Sequence, residues 1–162
     1  MTEKLTWKEK YSAILLMTIG LIYFLVWIIS IFSETTGFIR VEDDKLSMSK
    51  SELLSHVRTL LTIFFCVAGG ILIFRKQKTG LVFGIAALIL FIIICSGGLY
   101  QAIKIQESRL AIFASTGVII LSAGLIFLLL PSVRKKLNAN KATLPAGFGL
   151  AIALGLFYFF FQ

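Results

Sequence analysis

Five long stretches without a charged residue alternate with short, charged linkers along this 162-residue chain. The runs are Tyr11–Ser33, Thr59–Phe74, Thr79–Ile103, Leu110–Val133 and Ala142–Gln162. A helix needs about 20 mostly apolar residues to cross a hydrocarbon core about 30 Å thick. Four runs reach that length unaided, and Thr59–Phe74 reaches it once its polar lead-in is counted. The pattern predicts an all-α integral membrane protein, a single compact bundle of five transmembrane helices. They are expected over about 11–32, 50–74, 80–102, 110–130 and 144–161, with an outer loop over 33–49.

The helix ends carry local signals. Ser49-x-x-Glu52 matches a capping box, which starts the second helix near Lys50. The uncharged part of that helix, 16 residues, is short of the membrane thickness. Arg58 is therefore expected at the outer interface, its guanidinium snorkelling toward headgroups. Pro131 is expected to end the fourth helix sharply. The fifth run finishes in Phe157-Tyr158-Phe159-Phe160-Phe161. Four crossings plus a peripheral C-terminal segment are the alternative, which the lack of a charged face on that segment disfavours. Phe38–Val41 and Lys45–Met48 flank Asp43-Asp44 and suggest a small hairpin, although no Asn-Gly or Asp-Gly turn is present. The first run is longer than a signal-peptide core and lacks a small-x-small cleavage pattern, so it reads as an uncleaved first helix.

Composition agrees with this picture. Charged residues are 15% of the chain and the mean hydropathy is +0.95, where a soluble domain carries about a quarter charged residues. The net charge of +8 is placed asymmetrically. One side of the five-helix arrangement collects ten Lys and Arg, including Lys8, Lys10, Arg75, Lys76 and Arg134-Lys135-Lys136, against Glu3 and Glu9. The other side carries six of each sign. The positive-inside rule then puts the N-terminus in the cytoplasm and the C-terminus outside. The basic side attracts anionic lipid, but Arg134-Lys135-Lys136 by itself is too short to specify a phosphoinositide or nucleic-acid site. Nucleic acid is not an expected partner, and short loops with a strong basic bias point to a bacterial cytoplasmic membrane.

Candidate chemistry is sparse. No charged residue falls in the middle of a run, which counts against proton-coupled transport. Glu52 and His56, four apart, share a helix face and Arg58 follows two residues on, giving one polar cluster at the outer end of the second helix. It has the character of a cation, headgroup or partner site, although an ordinary solvated helix start explains the same residues. A single histidine argues against a metal centre, and no cofactor motif is present. Cys66 and Cys95 lie at different depths, which excludes a bridge between straight helices and suits small packing residues. Small residues supply the clearest packing signal: Gly80-x-x-x-Gly84 in the third helix and Gly147-x-x-x-Ala151-x-x-x-Gly155 in the fifth.

The leading expectation is a non-enzymatic accessory, scaffold or immunity-type protein acting through helix–helix contacts, with the lipid bilayer, another membrane protein or a second copy as partner. A carrier or channel for a lipid or other apolar molecule is the alternative, and an internal cavity would favour it. A headgroup enzyme ranks third and requires Glu52, His56 and Arg58 to converge with loop acids.

Overall fold

The computed structural model describes residues 5–32, 40–42, 45–47 and 50–160, of which 31–32, 40–42, 45–47 and 50–52 are described as backbone alone. Helix α1 spans Trp7–Phe32, α2 Lys50–Phe74, α3 Lys78–Lys104, α4 Ser108–Leu129, α5 Pro131–Lys136 and α6 Thr143–Phe160. Five of these, all but α5, are long and apolar enough to cross a membrane. Strands β1 (Arg40–Glu42) and β2 (Lys45–Ser47) pair antiparallel with Val41 opposite Leu46, so a hairpin forms where the sequence suggested one. The rest of the predicted outer loop lies outside the described residues.

Helix α3 is the hub. Its neighbours are α2, α4 and α6, and it also touches α1, which packs between α2 and α4. Consecutive helices from α1 to α4 pack as antiparallel neighbours. The α5 segment then carries the chain back, so that α6 runs parallel to α3: Gly147 sits against Ile85, and Ala151 and Gly155 continue upward beside Ile89 and Ile93. The bundle axis is filled by Leu16, Ile73, Leu81, Ile85, Leu88 and Leu128, all fully buried.

Glycines set the spacing. A Cβ built on Gly80 would lie 2.5 Å from the Ile73 backbone nitrogen and 2.6 Å from the Leu72 carbonyl carbon. One built on Gly70 would lie 2.9 Å from the Ala13 carbonyl oxygen. Real Cβ atoms do not come that close, so α2 approaches α3 and α1 nearly backbone to backbone. Such approach matters because lipid tails are as apolar as leucine and give helices no hydrophobic reason to associate. Dispersion and Cα–H contacts take over. Aromatic pairs add edge contacts, with Tyr23 on Phe91 at 4.9 Å and Phe65 on Phe83 at 5.1 Å between ring centroids.

Three helix ends share one geometry without a glycine. Lys76, Gln106 and Asn138 have φ of 56°, 56° and 51°. Around Lys76, the Gln77 N–H donates to the Leu72 carbonyl and the Lys76 N–H to that of Ile73. The same pair of bonds recurs from Glu107 and Gln106, and from Ala139 and Asn138. This is the Schellman arrangement, which satisfies the orphan carbonyls of a helix end and turns the chain sharply.

Two boundaries differ from expectation for identifiable reasons. Helix α1 begins at Trp7 rather than near residue 11, because Thr6-x-x-Glu9 forms a capping box: the Glu9 carboxylate accepts from the Thr6 N–H. Pro131 does more than end α4. Leu130 takes the extended conformation that a following proline demands, with φ −60° and ψ 134°. Pro131 then occupies the first position of α5, where its missing N–H costs nothing. The basic run Arg134-Lys135-Lys136 is thus helical rather than a loop, held by Val133 and Leu137, both buried.

Candidate functional site

Residues four apart on a helix share a face, but two apart they point in roughly opposite directions. The outer polar cluster divides on that rule. His56 faces α1, where its Nδ1 accepts from the Trp27 indole N–H at 3.3 Å. Arg58 faces α6 instead: its guanidinium lies 4.2 Å from the centre of the Tyr158 ring and donates to the Tyr158 carbonyl at 3.3 Å. The Glu52 side chain lies outside the described residues. His56 and Arg58 therefore serve different helix contacts.

Beyond the interfacial position expected of it, Arg58 makes a specific contact within the bundle. Tyr158 belongs to the last turn of α6, whose carbonyls have no intrahelical partner and carry the negative end of the helix dipole. A guanidinium is suited to both the orphan carbonyl and the aromatic face. Arg58 thus acts as a clasp between the start of α2 and the end of α6. The short α6, 18 residues, gains a second anchor beyond its contact with α3.

The end of the bundle where α1 begins holds a group that pattern reading passed over. Glu9 is fully buried, and its Oε1 has no hydrogen-bond partner among the described residues. Beside it Ser12, also fully buried, shares its hydroxyl proton between the Lys8 carbonyl at 3.2 Å and the Gly124 carbonyl of α4 at 3.1 Å. The Thr6-x-x-Glu9 spacing was the available signal. Its capping bond and the positive dipole end of α1 account for the carboxylate position. Among the described residues, no three His, Cys, Asp or Glu side chains converge as a metal site.

The small-residue stripes also divide. Gly80 and Gly84 contact α2, α1 and α4, Gly147 rests on Ile85, and Ala151 is buried. Among the described residues, nothing lies within 4 Å of the place where a Cβ on Gly155 would stand, and the same holds for Gly97, Gly98 and Gly149. Cys66 lies against Gly20 and Cys95 against Gly117, in different helix pairs, and both are free thiols.

Two apolar depressions lie on the sides of the bundle. One of about 570 Å³ is lined by residues of α1 and α2, including Met17, Gly20 and Phe24. The other, about 520 Å³, lies between α3 and α4 with Arg109 among its lining residues.

Comparison with known proteins finds no matching family, no matching characterised protein and no matching solved structure.

Replacing Arg58 with Ala is expected to lower stability in detergent by about 2–4 kcal/mol, the sum expected of a half-buried cation–π contact and a charged hydrogen bond. Limited proteolysis should show cleavage beginning in α6. Unchanged melting and proteolysis would remove the clasp role.

Proposed function

We propose that the protein is a non-enzymatic component of a membrane assembly that works by contact, presenting one helix face to a transmembrane helix of another membrane protein. The observation that carries this reading is the contrast within one stripe of α6. Gly147 and Ala151 are used against α3, while Gly155 is uncovered on a lateral groove of about 240 Å³ lined by Ile89, Ile93, Phe148, Ile152 and Leu156. A filled bundle axis supports contact over transport, because a carrier needs a path between the two faces. The two larger depressions lie on the sides of the bundle, and the lipid-carrier reading takes second place for that reason.

We place the basic end of the bundle in the cytoplasm and the protein in a bacterial cytoplasmic membrane, on the distribution of Lys and Arg between the two ends. A reporter enzyme that works only outside the cytoplasm should be active when fused after Gln162 and silent when fused within 137–142. The reverse pattern would invert the orientation.

Gly155→Leu is expected to leave the protein folded and as abundant as the wild type, yet to remove the partner seen by native mass spectrometry of mild-detergent extracts. Gly147→Leu is expected to lower stability by about 1–3 kcal/mol through overpacking against Ile85. Partner retention by a folded Gly155→Leu variant would contradict this choice of face.

A further inference from the structure

The basic run after α4 is built into a shaped site. Helix α5 tucks Val133 and Leu137 into the core, and the turn at Asn138 fixes the direction of the following chain. The result is a depression of about 310 Å³ framed by Pro131, Arg134, Lys135, Ala139, Asn140 and Lys141. Three of the six residues are cations and none is an acid. The Arg134 Nε is buried and has no hydrogen-bond partner among the described residues. Such a group costs about 1–3 kcal/mol unless something accepts from it.

Asn140 is held in place. Its Oδ1 accepts from the Thr143 hydroxyl at 2.6 Å, and its backbone N–H donates to Thr143 Oγ1 at 3.0 Å. With the amide oxygen engaged, the amide NH₂ remains as a donor. The rim therefore offers a guanidinium, two ammonium groups and an amide, all donors, between the inner ends of α4 and α6. That is headgroup depth for helices that span the bilayer.

We propose that this depression binds the phosphate of an anionic lipid headgroup. A guanidinium, two ammonium groups and an amide complement a phosphate in charge and in hydrogen bonding. The depth at the ends of two apolar helices matches a lipid, whose chains then lie along the bundle. This site stands independently of the contact surface on α6.

The test is native mass spectrometry of the full-length protein in mild detergent, titrated separately with phosphatidylglycerol and phosphatidylcholine. Phosphatidylglycerol should be retained and phosphatidylcholine should not. Lys141→Gln and Arg134→Gln should each weaken retention about fivefold, the loss expected for one interfacial cation. Lys104→Gln, at the other end of the bundle, should change nothing. Lys141 is exposed, so its substitution leaves the fold intact even where that of Arg134 does not. Equal retention of the two lipids, or undiminished phosphatidylglycerol binding by Lys141→Gln, would overturn the site. Displacement of the bound lipid by millimolar inorganic phosphate would overturn the lipid as occupant, and persistence of the lipid would support it.

Discussion

Everything in this bundle depends on how closely other helices approach α3. Gly84 marks the point of convergence. A Cβ there would meet Leu128 of α4 at 3.0 Å, Leu16 of α1 at 3.1 Å and Ile73 of α2 at 3.2 Å. The α2 backbone is equally near, since a Cβ on Gly69 would lie 3.2 Å from the Gly84 nitrogen. Three helices thus meet the fourth where it has no side chain. In water such packing would be supplementary to the hydrophobic effect. In lipid it is the main source of cohesion, because separated helices lose no apolar burial.

From that constraint the division of surfaces follows. The end of α2 and the start of α3 are locked together at Gly80, and α6 docks through Gly147 and Ala151. Toward the opposite end Gly97, Gly98 and Gly155 have open space beside them among the described residues. Side-chain clasps replace close packing there: Arg58 on Tyr158, and Trp27 on His56. The end where α1 begins instead carries buried polar groups, Glu9 and Ser12. The two ends are built from different physics, and the proposed contacts with partner and lipid fall where the chain leaves something unsatisfied.

The crossing helices were legible because a bilayer admits few solutions: backbone polar groups must be satisfied within each segment, so apolar runs of sufficient length become helices. Ser49-x-x-Glu52 placed the start of α2, and the same rule applied to Thr6-x-x-Glu9 would have extended α1 to Trp7 and drawn attention to Glu9. Helix α5 was illegible because six residues are too few to show a period. Its signals were Pro131 and the four-residue spacing of Val133 and Leu137. The fate of the outer cluster was hidden for another reason. Sequence shows that His56 and Arg58 point apart, but not that α1 stands on one side and α6 on the other. Likewise Gly147 and Gly155 look equivalent in the chain, and only the course of Ile85, Ile89 and Ile93 along α3 separates them.

The central claim is that α6 docks on α3 within the same chain, parallel to it and in the register set by Gly147 and Ile85. A Cβ on Gly147 would lie 3.3 Å from that of Ile85, close to the separation of about 3.8 Å found in disulfides. The most direct measurement pairs Gly147→Cys with Ile85→Cys in a chain whose Cys66 and Cys95 are replaced by Ala, oxidised in intact membranes. The account predicts rapid cross-linking within single chains, seen as a mobility shift of the monomer. A cross-linked dimer, or no cross-link under conditions that oxidise an exposed control pair, would contradict it.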